Sequence, residues 1–536
     1  MHVAFLSNPA SGELNVQLAT AQQLVSQGHT VTFLSAESCS SKIDRLRQAQ
    51  LPYNRDLIRF VSLGSGRIVN DVTAWIQARM HLMRRTPGDP ISQQTCLESA
   101  LGRAEEHAAI ALKVRDHLDA LNPSMICVDA LTPCLITGVR LTRRKFILTI
   151  PCSPGLTAHP SAFQPHPVAA IRRGSWGPLL ESIYLNTREL IHSQRHPDRR
   201  AKRALVKRLG LKSYGLANDS AHCPPHWDDE NCVAGIHFNT QGLLDCPRQS
   251  EKFVFVGAGV STEPEPTSSP STPPPPSPPQ QAQPQEKIQT HFSERTWMDE
   301  AALLGEDVVY INMGSMFIWT PREFRACIAG LSAAHAKLSG RIRFLLKINT
   351  RRRSLPSSHS SSSSSLSKAQ SETQSEVNLE REHIPPFIRL TSWIEDQHAV
   401  YTHPALKAFV HHGGGNSFNE AVHFGIPQLV LSQWLDTHEY AMYAERFGLG
   451  LRSARPPFIE ARDIERKILT LLGPRWQEFK DNCQTWAMRS RLGGGVKTAA
   501  EIVLFHARIQ EQARIRAQRP VLLEKEKEEQ IRVVKL

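Results

Sequence analysis

The feature that most constrains this chain is its opening rhythm. "HVAFLS" (2–7) is a short apolar run, a glycine loop follows, and Leu14, Leu18, Ala21 and Leu24/Val25 then recur at helical spacing. Gly28 and His29 stop that helix, and "TVTFL" (30–34) is again strand-like. A strand, loop, helix and strand in this order open a doubly wound parallel sheet, which buries both faces under helices. The grammar continues with a helical pattern near 93–121, then "SMICVDAL" (124–131), "KFILTI" (145–150) and "EKFVFVGAGV" (251–260).

The rhythm breaks at 261–286, a proline-rich segment with almost no apolar residues, where ten of the chain's 36 prolines gather. Such a composition buries too little surface to offset ordering entropy. It is expected to act as a linker. A second α/β half follows, with strands expected in "DVVYINMGSM" (307–316), "RIRFLLKI" (341–348), "FIRLTSW" (387–393), "KAFVH" (407–411) and "PQLVLS" (427–432). A serine-rich insertion at 354–376 interrupts it. The expected organisation is therefore an N-terminal domain over 1–260, a linker over 261–296, a C-terminal domain over 297–505 and a charged tail over 506–536. Two such domains place ligands in the central cleft they face, at the C-terminal ends of the strands.

Charge and cysteine usage exclude several classes. The formal net charge of +12 gathers in "RHPDRRAKRALVKRLGLK" (195–212) and "RRR" (351–353) without aromatic interleaving, so a solvated helix face is expected and no nucleic-acid partner. No apolar run reaches the ~18 residues of a membrane span, and the first residues read straight into a strand rather than a signal peptide. The ten cysteines show no disulfide framework, which fits a reducing, cytoplasmic setting. In "HCPPHWDDENC" (222–232), His222, Cys223, His226 and Cys232 lie close in sequence. Their spacing matches no zinc pattern, and no metal is expected.

Chemistry concentrates in "FVHHGGGNSFNEA" (409–421). A strand, a glycine turn and a helix beginning near Asn416 present free backbone N–H groups and a positive dipole end, an anion site. His412, Asn416 and Ser417 add side-chain donors. Glu420, four residues beyond Asn416 on the same face, is better suited to sugar hydroxyls than to phosphate. The pattern reads as phosphate plus ribose. "HGGG" (412–415) also spells a hydrolase oxyanion loop, but no G-x-S-x-G elbow occurs in the chain, and no P-loop Gly-Lys-Ser/Thr either. His411 and His412 point to opposite faces of a strand and do not share a metal.

These residues resemble the C-terminal signature of UDP-dependent glycosyltransferases of the two-domain GT-B type, W-x-P-Q…H-P…H-x-G-x-N-S…E…D-Q. It is matched here by Trp393, Asp396-Gln397, His403-Pro404, His412, Gly414, Asn416, Ser417, Glu420 and Asp436. The fungal-type members look most similar. The resemblance implies a GT-B fold of two Rossmann-like domains and a UDP-sugar co-substrate used without a bound metal or other cofactor. It implies that Trp393 stacks on uracil with Gln397 nearby. Ser315, His412, Gly414, Asn416 and Ser417 then meet the diphosphate, Glu420 the ribose, and Asp436 with Thr437 the donor sugar. An inverting hexosyl transfer to a small lipophilic acceptor, such as a phenol, a sterol or another secondary metabolite, is expected.

Three departures qualify that expectation. The spacing from Trp393 to His403 is one residue longer than usual, and Thr437 stands where the signature ends in Gln. The family's general base is a histidine in the first glycine loop, and here "SGELN" puts Glu13 there, with Asp129 as its expected partner. Glutamate near its ordinary pKa of about 4.3 is a weak base toward an alcohol, but a second carboxylate close by raises it. A catalytically inactive, nucleotide-binding relative is the alternative that Glu13 leaves open.

Overall fold

The computed structural model describes residues 1–64, 77, 80–84, 103–157, 177–214, 224–243, 249–260, 294–349, 377, 379–394 and 396–534. The proline-rich stretch, the serine-rich insertion, His222, Cys223 and most of the segments expected to line an acceptor pocket (60–95 and 150–185) lie outside the described residues.

The described residues form two parallel sheets. The first has seven strands in the order β3-β2-β1-β4-β5-β6-β7. They run as β1 (His2–Leu6), β2 (Thr30–Ser35), β3 (Ile58–Ser62), β4 (Met125–Asp129), β5 (Phe146–Ile150), β6 (Cys232–His237) and β7 (Phe253–Phe255). The second sheet has the order β10-β9-β8-β11-β12-β13. Its strands are β8 (Asp307–Asn312), β9 (Ile342–Lys347), β10 (Ile388–Thr391), β11 (Leu406–His411), β12 (Gln428–Val430) and β13 (Gly450–Arg452). The strand patterns read from sequence each correspond to an observed strand. β3, β6 and β13 were not anticipated: β6 begins at Cys232, the last residue of the cysteine–histidine stretch, and β13 is only three residues long.

Each sheet reverses its winding once, between β1 and β4 in the first and between β8 and β11 in the second. Chains leaving such neighbours diverge to opposite faces and leave a crevice at the strands' carboxyl ends. The loop after β1 carries the N-terminus of the helix Ser11–Ser26, and β4 ends on Asp129. The loop after β8 carries Gly314 and Ser315, and β11 feeds His412 and the helix Gly415–Phe424. The sequence segments singled out for chemistry therefore sit at the two switch points.

Strands β1 and β4 are buried on both faces, and Phe5 stacks on Phe33 of β2 at 5.4 Å. The first core continues into the far end of the chain. Ala499, Ala500, Val503, Leu504 and Ala507 of the long helix Gly495–Val534 pack into it. The expected domain boundary at 505 thus falls inside a helix that crosses back to the first sheet. The crossing point is tight: a Cβ on Gly493 would lie 2.6 Å from the Val256 carbonyl oxygen.

A second tie runs the other way. Met83, on the short helix Met80–Met83, is buried in the second domain's core beside Phe317 and Trp319. Arg84 forms an ion pair with Glu323, donates to the Pro457 carbonyl at 3.1 Å and lies over the Phe317 ring at 4.9 Å. Among the described residues, no helix is long and apolar enough to cross a membrane, and no three His, Cys, Asp or Glu residues are placed to hold a metal. His226 and Cys232, the described members of the cysteine–histidine stretch, are both buried, the first against Tyr214 and the second bonded to the Ala234 carbonyl.

Candidate functional site

The second domain's half of the cleft is built on β11 and the turn that follows. His411 is fully buried: its Nε2 meets Gln428 Oε1 at 2.8 Å, and its Nδ1 accepts from Gly413 N at 3.0 Å. It fixes the turn and does not face the cleft. His412 points the other way, its ring against Trp434 at 5.5 Å. Burial lowers its pKa to about 3, so it stays neutral and offers one N–H. Its Nδ1 is buried without a hydrogen-bond partner among the described residues, a condition that a ligand oxygen would relieve.

Glycine is required at two positions around this ring. Gly413 has φ +89°, and a Cβ there would lie 2.7 Å from the Thr437 carbonyl oxygen. Gly314, in the loop after β8, has φ +76°, and a Cβ would collide with the His412 ring. The two loops are thus pressed together. The helix Gly415–Phe424 opens with Gly414 as its N-cap and no side-chain cap, so its first N–H groups remain open to an anion. Ser417 lies in its first turn, partly exposed. Ser315 is exposed, and its carbonyl accepts from Gln77 of the first domain at 2.9 Å. Asn416 reaches across the cleft, its amide 3.4 Å from the Ser11 carbonyl and 3.3 Å from that of Gly12.

One turn further along, Glu420 sits in a polar cage. Gln397 Nε2 donates to its Oε2 at 2.7 Å and Tyr401 donates to the same oxygen at 3.0 Å. Burial raises the Glu420 carboxyl to about 7 against those two bonds. Trp393, 58% exposed, stands near the end of β10, with its backbone N–H bonded to the Thr391 hydroxyl at 3.3 Å. An exposed indole of this kind is a ready stacking platform.

The first domain's half is acidic. Glu13 lies in the first turn of the helix Ser11–Ser26, at the β1 switch point. Desolvation holds its carboxyl above the ordinary value, opposed by the neighbouring Lys42. Asp129 is fully buried and bonded to Leu131 N at 2.9 Å, Asn8 at 3.4 Å and the Thr132 hydroxyl. Burial, with the Glu13 charge adding to it, pushes Asp129 up to about 8. The expected pair is therefore in electrostatic contact.

The cleft is closed by residues that the sequence did not single out. Ser153, in the loop after β5, bonds the Glu439 carboxylate through its hydroxyl, and its N–H lies 3.4 Å from Asp436. Asp436 is pushed up to about 6 by burial, with Glu13 contributing, and Glu439 to about 7 by burial, with Asp436 contributing. Behind them, the buried Asn239 accepts from Tyr440 at 2.9 Å and Asn419 at 2.8 Å, and donates to the Cys152 carbonyl at 2.9 Å. Thr437 does not share this arrangement. It is buried, and its hydroxyl meets Gln433 N at 3.0 Å, Trp434 N at 2.9 Å and the Trp434 carbonyl. The shorter side chain is used to fold its own loop.

Residues 371–483 match the family model described as the C-terminal domain of erythromycin biosynthesis protein CIII-like proteins. The chain is 40% identical to erythritol-mannosyl-transferase 1 of Pseudozyma antarctica (strain T-34), over 96% of this chain and 92% of that protein. It is 38% identical to erythritol-mannosyl-transferase 1 of Mycosarcoma maydis, over 94% and 91%. Among solved structures, the glycotransferase of kitacinnamycin superposes with a TM-score of 0.58 at 15% identity, covering 94% of this chain and 99% of that one. A calicheamicin glycosyltransferase does so with a TM-score of 0.54 at 17% identity, over 94% and 97%.

Proposed function

The chain belongs to the GT-B glycosyltransferase family, and from that premise we propose that it moves a mannosyl group from a nucleoside-diphosphate mannose to a small polyol such as erythritol. The inactive alternative is set aside, because near-full-length relatives carry transferase names. The observation that carries the acceptor reading is the run of four carboxyl groups in electrostatic contact, Asp129 to Glu13 to Asp436 to Glu439. A lipophilic acceptor, the expectation from sequence, would bring no hydrogen-bond donors to this acidic wall. A polyol supplies hydroxyl donors to the carboxyl oxygens that the protein's own donors leave open.

In this reading the C-terminal half holds the donor. Trp393 carries the base, Gln397 steadies Glu420 for the ribose, and the N-terminus of Gly415–Phe424 with His412, Asn416, Ser417 and Ser315 meets the diphosphate. Asp436 addresses the sugar. One acceptor hydroxyl attacks the anomeric carbon and loses its proton to Glu13. The bond from that carbon to the diphosphate oxygen breaks with its electrons on the leaving group. A single displacement inverts the anomeric centre. The helix dipole and neutral donors stabilise the negative charge that develops. UDP is the nucleotide implied by the sequence resemblance.

The test is release of nucleoside diphosphate from mannosyl donors, with erythritol, longer polyols, phenols and sterols offered in parallel. Release that depends on polyols supports the reading. Release with phenols or sterols and none with polyols would overturn it.

A further inference from the structure

Lys347 ends β9 at the carboxyl edge of the second sheet, in register between Asn312 of β8 and Thr391 of β10. Asn312 leads into the Gly314-Ser315 loop and Thr391 into Trp393, so the lysine stands between the two parts expected to touch donor. Its ammonium lies over the Trp393 ring, 5.2 Å from the centroid, and within electrostatic reach of Glu420. It is half-buried, yet it makes no hydrogen bond or ion pair with the described residues. The same ring carries a second cation from the other domain, with the Arg45 guanidinium 5.6 Å from the centroid.

Resting on the donor reading above, we propose that Lys347 is a specificity-determining residue that reads the nucleobase stacked on Trp393, favouring a base whose edge presents carbonyl oxygens. An ammonium donates hydrogen bonds and accepts none. On a flexible four-carbon stem it slides from the ring face to the edge of a stacked base. There it rewards a keto oxygen and gains nothing from an exocyclic amino group. Uracil and guanine present such oxygens, and adenine presents an amino group in their place. A lysine serving only to brace the indole would not distinguish among them.

The experiment measures binding of UDP, GDP and ADP to the full chain, for wild type, Lys347→Met and Lys347→Arg. We expect wild type to bind UDP, GDP or both more tightly than ADP. The one that binds identifies the base. Lys347→Met should weaken the keto-base nucleotide by about tenfold or more, as loss of a charged hydrogen bond does, and change ADP by less than about twofold. Lys347→Arg should keep most of the preference. Matched thermal unfolding of Lys347→Met and wild type places the loss in recognition. Equal weakening of all three nucleotides, or no weakening, overturns the role of Lys347 while leaving the donor reading intact. Failure of wild type to bind any nucleoside diphosphate overturns both.

Discussion

Ser153 and Glu439 meet side chain to side chain across the cleft, one from the loop after β5 and the other from the helix Thr437–Arg446. The bond joins the two domains at a point where the carboxyl group is buried and held up to about 7. A carboxyl raised in the folded state favours folding most below its unfolded value, near 4.5, and that contribution is lost as pH rises through 7.

Glu439→Gln keeps a partner for Ser153 and removes the titration. The variant's stability relative to wild type should therefore rise between pH 5 and pH 8 by on the order of a few kcal/mol. Chemical unfolding at the two pH values checks this. Asp129, Asp436 and Glu420 are also raised and add slopes of the same sign. His226, His237, His411, His412 and His423, held low by burial, add slopes of the opposite sign, so the difference between variant and wild type is what isolates Glu439.

Burial raises both Glu13 and Asp129, and the Glu13 charge adds to the rise at Asp129. Asp129 is fully buried, whereas Lys42 opposes the rise at Glu13. Glu13→Gln should lower kcat by about 10²–10⁴ with little change in donor KM. Asp129→Asn should cost less, because near neutral pH Asp129 already carries its proton. In wild type kcat should climb with pH as Glu13 ionises, and that limb should vanish in Glu13→Gln. Steady-state rates across pH 5 to 9 check this.

Thr437→Ala should act on folding rather than on sugar choice. Its hydroxyl satisfies the backbone of residues 433 and 434, and losing such a bond costs about 1–2 kcal/mol. Thermal unfolding should register the loss, while competition between sugar nucleotides should be unchanged.

Donor binding should depend on pH through Glu420 and not through His412. Glu420 is raised to about 7, so its ability to accept from ribose hydroxyls should grow as pH rises to that value. His412 is held down to about 3 and stays neutral throughout. Titration calorimetry with a sugar nucleotide should show affinity rising from pH 5 to 8. Glu420→Gln should flatten that slope, while His412→Ala should weaken binding and leave the slope in place.

Much of this was legible in the sequence because parallel strands leave dense apolar runs and switch-point loops leave glycines. The runs at β1, β4 and β8 and the "HGGGNS" turn carry both signals. Ser153, Asn239 and Glu439 were not legible. Each lies in an ordinary local context and matters only because closure brings the loops after β5 and β6 against the helix Thr437–Arg446. Lys347 was hidden for a related reason: a lysine ending a strand reads as a solvated edge until the sheet order sets it between β8 and β10. The crossing of Gly495–Val534 back to the first core had a clearer trace, the apolar spacing of Ala499, Ala500, Val503 and Leu504 on a chain end that otherwise reads as charged.

The most direct measurement is product analysis by mass spectrometry after incubating the full chain with a nucleoside-diphosphate mannose and erythritol. The wild-type protein should form a mannosyl-erythritol of inverted anomeric configuration, and Glu13→Gln should form it about a hundredfold more slowly or worse. No adduct with any mannosyl donor, or equal product from Glu13→Gln, would contradict the account.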